Sequence, residues 1–332
     1  YLVVVIYWLL GGVNEVAGRW LSAGISVAAA MAFYKLLRLF GSQFQALAGL
    51  IFFYLLSPVH IIISRSFLVD ELTLFMGIVS LYLLARKSFW AGTVMMSLTL
   101  LSKFTFGYLL LPALWLIKKK RQLFLLLTLV PVLIWSIYVK HLNEQLIGGL
   151  STGEYNLFYV FNPKNMISAG FYINIFYHFA RYAVTFMWLP LVVMGLLLKS
   201  ERKIATPFYL WFLGAWGFIL AFNVPSRTHS YYFLALVPPA VWFAAAATER
   251  LYKNLKSRLW IPLPTIALGL VALGLASVVT DEFLKAYRTY DPYRRIPEVG
   301  QVIQNLTLPD DKIVATANRT EGVVYFSHRQ GW

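Results

Sequence analysis

The segment SPVHIIISRSFLVDE, residues 57 to 71, places three charged side chains between two runs of sequence that are otherwise apolar. They are Arg65, Asp70 and Glu71. An ionised side chain in hydrocarbon costs about 2.5 to 3.5 kcal/mol on insertion scales, so such residues usually face a cavity, a partner or the headgroup layer. The segment therefore predicts a polar connection between two membrane spans, and its charges require an explanation.

The sequence on either side of this segment has the composition of an all-α, multi-pass membrane protein. Of its 332 residues, 59% are hydrophobic and 13% are charged, whereas an ordinary soluble domain has about 25% charged residues. Apolar runs alternate with short polar clusters over residues 1–279, and we expect nine to ten transmembrane helices there. There is no cysteine, which excludes disulfides, thiol nucleophiles and thiolate metal sites.

The net charge of +15 is distributed in a way that argues against nucleic-acid binding. Most Lys and Arg residues sit in short clusters at the ends of alternate apolar runs, as inner loops facing anionic lipid do. The positive-inside rule puts these clusters in the cytoplasm, so we expect an integral protein of the plasma (inner) membrane. Four polar segments then become outer, extracytoplasmic loops: 57–71, 102–105, 140–180 and 225–230.

The last part of the chain, residues 280–332, is charged and polar, and we expect it to begin a small extracytoplasmic α/β domain. Residues 296–306 have the apolar spacing of a helix, while 310–317 and 322–326 have the β-branched and aromatic composition of strands. The chain opens at Tyr1 within an apolar run and ends at Trp332 without a closing element. We therefore expect both ends to be truncated.

Asp70 and Glu71 support two interpretations. Acids next to the start of a helix satisfy free amides and suit the helix dipole, so both residues could simply cap the helix that begins near Leu72. Alternatively, they are catalytic or metal-binding carboxylates on the outer face. The sequence gives the two interpretations about equal weight.

Lys103 lies between two apolar runs that are each too short to span, so we expect it in a partly sunken turn where it could attract a phosphate. Snorkelling to the interface is the ordinary alternative. Several arginines at outer span ends could also neutralise an anionic headgroup, although each alone is more often an interfacial anchor. They are Arg19, Arg65, Arg181 and Arg227.

Residues 140–180 are rich in aromatic side chains, among them Tyr155. Such a segment suits an amphipathic helix over a cleft, and aromatic faces also bind sugar rings, but an aromatic belt at the membrane interface is the favoured interpretation. His60, His178 and His229 lack the spacing of a metal pair. Neither a Walker loop nor a GxGxxG motif occurs, so nothing indicates ATP or a dinucleotide.

The order of these features resembles the GT-C class of polyprenyl-phosphate-sugar-dependent membrane glycosyltransferases, in particular the protein O-mannosyltransferases and aminoarabinose transferases. The resemblance rests on five segments: GVNEVAGRWLSA (12–23), SPVHIIISRSFLVDE (57–71), LLSKFTFG (100–107), HSYYFLALVPP (229–239) and YFSHRQGW (325–332). Each motif alone is weak, but their order and spacing together are fairly specific.

The resemblance implies transfer of a sugar from a polyprenyl phosphate to a protein, lipid or glycan acceptor on the extracytoplasmic face, usually with inversion. It matches Asp70 to the acid of the second outer loop and Lys103 to the lysine that follows the fourth or fifth span, and we expect Lys103 to bind the donor phosphate. We expect Asp70 and Glu71 as catalytic carboxylates, with Arg65 and Arg227 assisting at the phosphate. The expected residues on the sugar and acceptor side are Tyr155, His229, Tyr231 and Tyr232.

No cofactor is firmly implied, and a divalent metal is left open. The first outer loop of this class, whose leading acid is the expected general base, lies before Tyr1. Asp70 is then a supporting carboxylate, and we expect residues 1–332 alone to be inactive. A transporter or lipid flippase is the main alternative, although no inverted repeat is visible. A structural assembly subunit is a third interpretation, and it predicts no bound polyprenyl lipid.

Overall fold

The computed structural model describes residues 2–12, 15–66, 68–146, 160–198, 202–256, 295–315 and 320–331. Helix makes up 84% of it, consistent with an all-α membrane protein. The chain divides into two compact units, residues 1–278 and 279–332. The expected apolar run at 261–279 lies outside the described residues.

The described part of the first unit consists of helices and the turns that connect them. Its α-helices are α1 (Leu2–Leu9), α2 (Glu15–Phe40), α3 (Gln43–Leu55), α4 (Pro58–Arg65), α5 (Val69–Ala85), α6 (Phe89–Ser102), α7 (Leu110–Leu116), α8 (Arg121–Leu146), α9 (Pro163–Met166), α10 (Ala169–His178), α11 (Thr185–Leu197), α12 (Arg202–Ala221) and α13 (Val237–Lys256). Three 3-10 helices, Phe104–Leu109, Pro225–Arg227 and Ser230–Leu236, and a π-helical turn, Phe179–Ala183, connect them.

Four of these helices are long and apolar enough to cross a membrane, or six if two bent pairs each count as one span. The four are Val16–Phe40, Arg121–Leu142, Ile204–Ala221 and Ser230–Asn254. The count of nine to ten spans is therefore not reached by the described helices. The reason is length, because α5 has 17 residues and α6 has 14, whereas a straight span needs roughly 20.

The two bent pairs meet at their breaks. In the first, α3 and α4 turn by 63° at Leu56 and Ser57, since Pro58 starts a new helix and cannot donate a backbone hydrogen bond. In the second, residues 169–183 and α11 turn by 103°. Ser57 Oγ donates to the Ala183 carbonyl at 2.9 Å, and Trp188 Nε1 donates to the Leu56 carbonyl at 3.2 Å. Side chains of each break thus satisfy carbonyls freed at the other, as a low-dielectric interior requires.

The span that contains α13 is the centre of the first unit. In its 18-residue apolar stretch 83% is buried, whereas in the corresponding stretch of the peripheral span Arg121–Leu142 only 11% is buried. Helix α13 packs against α3 and α11, and small side chains allow this close approach. At Gly195 of α11, an added Cβ would lie 2.0 Å from the Phe243 carbonyl oxygen. On the other side of the unit, α5 packs between α2 and α6.

Two of the segments expected to be outer loops contain helices in their described parts. Residues 57–71 contain all of α4 and the first turn of α5, and residues 140–180 contain the end of α8 together with α9 and α10. In α10 the apolar residues Phe171 and Ile175 are buried one helical turn apart. This period of 3.6 residues explains why the aromatic-rich segment folds as a helix there.

The second unit contains α14 (Ile296–Leu306), β1 (Lys312–Ile313), α15 (Thr320–Ser327) and β2 (Gln330–Gly331), with β1 parallel to β2. The predicted helix at 296–306 is confirmed. The predicted strand at 322–326 is wrong, because these residues belong to α15. Its buried residues Val323 and Ser327 are four apart, as on one face of a helix. Gly300 of α14 allows the close contact with Phe326, since an added Cβ would lie 2.5 Å from its backbone.

Candidate functional site

Asp70 and Lys103 form an ion pair between two helix ends. Asp70 lies in the first turn of α5, where an acid suits the helix dipole. Lys103 follows the last residue of α6 and precedes the 3-10 helix Phe104–Leu109, so it lies at the break between two helices. Lys103 Nζ donates to Asp70 Oδ1 at 2.6 Å. The side chains are 22% and 7% exposed, so the pair lies just below the protein surface.

Two tyrosine rings cover this ion pair. Lys103 Nζ lies 4.9 Å from the centroid of the Tyr231 ring and 5.9 Å from that of Tyr232. These distances suit cation–π attraction. The two rings stack on each other with centroids 4.7 Å apart, and His229 stacks on Tyr231 at 5.2 Å. The structure thus brings together residues that are about 130 to 160 positions apart in the sequence.

The cleft between the ion pair and the tyrosines is nearly closed. Its volume of about 10 Å³ has room for about one water molecule. Its polar lining is made by Asp70, Lys103, Thr105, Tyr108, Tyr231 and Tyr232. A sugar or a phosphate can enter only if Lys103 or the tyrosines move.

Tyr108 is a residue of this cleft that the sequence analysis missed. It is 6% exposed, and its hydroxyl has no hydrogen-bond partner among the described residues. An unpaired buried hydroxyl costs free energy, which is one mark of a group reserved for a ligand. Its position five residues after Lys103 was the available signal. One tyrosine in a chain with 20 of them did not stand out.

Glu71 points away from Asp70 and is sealed inside the helix bundle. Its Oε1 lies 3.1 Å from His60 Nε2, and both side chains are 1% exposed. The same nitrogen lies 3.3 Å from Ser26 Oγ, so α2, α4 and α5 meet at one imidazole. A nucleophile triad would need the two ring nitrogens of the histidine to meet different partners. The geometry therefore indicates a structural cross-link between helices, and Glu71 is not among the lining residues of the cleft.

Both acids nevertheless occupy the first turn of α5, and the preceding residue, Leu68, supplies no side-chain cap. The position expected from the capping interpretation is thus confirmed. Capping alone does not explain why both side chains are buried and have separate partners, because a helix-capping acid is ordinarily exposed to solvent.

Of the remaining predicted residues, Arg227 does not line the cleft, and the side chains of Arg65 and Tyr155 lie outside the described residues. Arg227, in the 3-10 turn before His229, is exposed and donates to Asn165 Oδ1 at 3.3 Å. Asn165 in turn donates to Asn223 at 3.0 Å, which ties α9 to the end of α12. Arg65 ends α4, but its side chain is outside the described residues, and so is Tyr155.

An anion can bind to Lys103 only if it displaces Asp70. Lys103 supplies one positive charge that Asp70 already neutralises, and an incoming phosphate would compete with that carboxylate. Within the described ranges, no three His, Cys, Asp or Glu side chains are placed to hold a metal ion. The site as it stands offers a carboxylate, an ammonium group and a stack of aromatic rings.

Comparison with known proteins adds no assignment. The sequence matches no protein-family model and no curated protein.

Proposed function

We propose that this protein is a GT-C-type membrane glycosyltransferase that transfers a sugar from a polyprenyl phosphate to an acceptor at the extracytoplasmic face of the plasma membrane. The proposal includes nine to ten spans in the whole membrane domain, with the cleft of Asp70 and Lys103 at the outer end. A protein, a lipid or a glycan can serve as acceptor in such an enzyme.

The observation that carries the proposal is the ion pair of Asp70 and Lys103 beneath the stacked Tyr231 and Tyr232. Three of the segments on which the resemblance rests, 57–71, 100–107 and 229–239, contribute to this one cleft. A carboxylate, a cation and aromatic rings are the groups that glycosyl transfer from a lipid phosphate requires.

In this proposal the donor phosphate displaces Asp70 from Lys103. The ammonium group then stabilises the negative charge that grows on the phosphate as the bond from the sugar to the phosphate oxygen breaks. The acceptor oxygen forms the new bond to the sugar and transfers its proton to a carboxylate that acts as general base. Asp70, released from Lys103, supports this step as a carboxylate facing the cleft. Polyprenyl phosphate leaves.

Glu71 has a different role in this proposal. Because it is sealed against His60, it does not touch substrate, and it acts as a positioning residue that fixes the first turn of α5 and so orients Asp70. Arg227, whose guanidinium is exposed beside Asn165, can reach an anionic headgroup at the rim, as cations at outer span ends do.

The test is lipid mass spectrometry and sugar transfer on the purified full-length protein. The donor probes are polyprenyl-phosphate mannose and polyprenyl-phosphate aminoarabinose. We expect co-purifying polyprenyl phosphate in the wild type and its loss in Lys103→Ala. We also expect transfer to fall by about tenfold or more in Asp70→Asn, which corresponds to about 1.4 kcal/mol of transition-state stabilisation. The matched control is Lys119→Ala, which removes an exposed cation elsewhere. Wild-type transfer in both site variants would overturn the assignment.

A transporter or lipid flippase is a second candidate, because the bundle has two sharply bent helix pairs. Broken helices are typical of secondary transporters. Here the carbonyls at the breaks are satisfied by Ser57 and Trp188, so they are not left facing a solute. Translocation of a fluorescent polyprenyl phosphate in proteoliposomes, with no sugar transfer in the same preparation, would favour this candidate over the enzyme.

A further inference from the structure

A second cavity lies at the other end of the helix bundle, far from Asp70 and Lys103. It has a volume of about 820 Å³ and is formed where α2 meets α3, where α11 ends, where α12 begins, and along the last turns of α13. Tyr231 and Lys253 belong to the same span, 22 residues apart, which corresponds to a distance of about 33 Å. The two cavities are therefore separate.

The mouth of this cavity carries an arginine without a partner. Arg250 is exposed, lines the cavity and makes no hydrogen bond or ion pair to any residue in the described ranges. Lys253 also lines it and pairs with Glu249 at 2.8 Å, while remaining 66% exposed. The two cations outnumber the one carboxylate, so the cavity attracts an anion, and a guanidinium matches the geometry of a phosphate.

Deeper in the cavity, a buried amide is also unpaired. Gln45 is 6% exposed and lines the cavity, and its Nε2 has no hydrogen-bond partner among the described residues. An added Cβ at Gly41 would lie 2.4 Å from Gln45 Oε1, so Gly41 makes room for this side chain. A buried donor without an acceptor costs free energy unless a ligand supplies the acceptor.

An apolar groove borders the cavity. The groove has a volume of about 560 Å³, is lined by Leu189, Pro190, Val193, Met194, Leu197 and Leu198, and shares Leu198 with the cavity. Trp242 lines the cavity and stacks on Phe208, with ring centroids 4.1 Å apart and planes 3° from parallel, which holds this part of the wall in place. A basic, partly polar cavity beside an apolar groove is complementary to a phospholipid, which has a charged headgroup and apolar acyl chains.

We propose that this composite cavity binds an anionic phospholipid. The phosphate lies at Arg250 and Lys253, the glycerol or ester oxygens accept from Gln45 Nε2, and one acyl chain follows the groove on α11. The apolar groove favours a lipid over a free phosphate, because a soluble anion has no apolar part that could occupy the groove. The site is independent of the proposed sugar transfer.

The test is native mass spectrometry of the delipidated, purified protein titrated with dioleoyl phosphatidylglycerol or dioleoyl phosphatidylcholine. We expect the anionic lipid to bind at least about fivefold more tightly, and Arg250→Gln to weaken it by about fivefold, as expected for one cation near a lipid phosphate. The control is Lys119→Gln, which removes an exposed cation outside the cavity. It should leave binding within about twofold.

A second variant tests the cavity without altering charge. Ala246 lines the cavity, and Ala246→Phe should narrow it and reduce phosphatidylglycerol binding as far as Arg250→Gln does. Since Arg250 is exposed, its variant folds even if Ala246→Phe does not. Equal affinity for the two lipids, equal binding by Arg250→Gln and Lys119→Gln, or displacement of the lipid by glycerol phosphate at similar concentration would each overturn the proposal.

Discussion

Asp70 and Glu71 are neighbours in the sequence, but their side chains lie in two different surroundings. Asp70 meets a lysine that is 22% exposed beneath two tyrosines, and Glu71 meets a histidine that is 1% exposed inside the bundle. Successive residues of a helix point about 100° apart, so one helix turn can serve a cleft with one residue and the core with the next. Access to a cavity, more than the presence of a carboxylate, therefore distinguishes the candidate functional acid Asp70 from the structural acid Glu71.

The largest expected effect on stability is at Glu71. Glu71→Ala leaves the buried imidazole of His60 without its carboxylate, and we expect the free energy of unfolding to fall by about 3 kcal/mol, as for removal of one partner from a buried pair. Thermal unfolding in detergent measures the loss. If Glu71→Ala and Asp70→Ala destabilise the protein equally, the distinction between the two acids fails.

Replacing both buried partners should recover most of that loss. In the double variant His60→Leu with Glu71→Met, neither a lone carboxylate nor a lone imidazole is left, although the buried Ser26 hydroxyl loses its contact with His60. Leu can pack against Phe53, whose ring lies 4.2 Å from that of His60. We expect the double variant to lie within about 1 kcal/mol of the wild type. The same unfolding measurement checks it. A double variant that is no more stable than Glu71→Ala would assign the pair a role beyond cross-linking helices.

On the other side of the comparison, Tyr108→Phe should stabilise the protein. It removes a buried hydroxyl without a partner among the described residues, and we expect a gain of up to about 1 kcal/mol. The matched control is Tyr138→Phe on α8, where the side chain is 51% exposed and little should change. Destabilisation by Tyr108→Phe would mean that the hydroxyl already has a partner in the resting protein.

The smallest expected effect is that of breaking the ion pair in the cleft. Lys103 can turn to solvent, so Asp70→Ala should cost less than about 1 kcal/mol, with a similarly small coupling energy in a double-mutant cycle with Lys103→Ala. High salt should reduce the effect further. A coupling of several kcal/mol would place this pair in the same class as His60 and Glu71.

Asp70 and Lys103 stand out in the sequence because they are charges in an apolar context, whereas Tyr231 and Tyr232 were expected only through a resemblance. The hydrogen bond from Lys103 to Asp70 could not be predicted, because the two residues are 33 positions apart, at opposite ends of α5 and α6. Tyr108 and the Ser26 contact to His60 were not predicted either, since neutral side chains leave no signal in an apolar background. Residues 322–326 were predicted as a strand, because β-branched composition does not reveal a period.

The sequence by itself determined that this is a helical membrane protein, because apolar runs and clustered charge reflect the cost of placing polar groups in lipid. Pro58 favours the start of a new helix, but Pro131, Pro190 and Pro207 lie inside helices, so a proline alone did not determine the break at Ser57. Only the tertiary structure decided which polar groups meet. The pairing of Lys103 with Asp70, of Glu71 with His60, and of one helix break with the other depends on long-range packing that no local pattern of residues encodes.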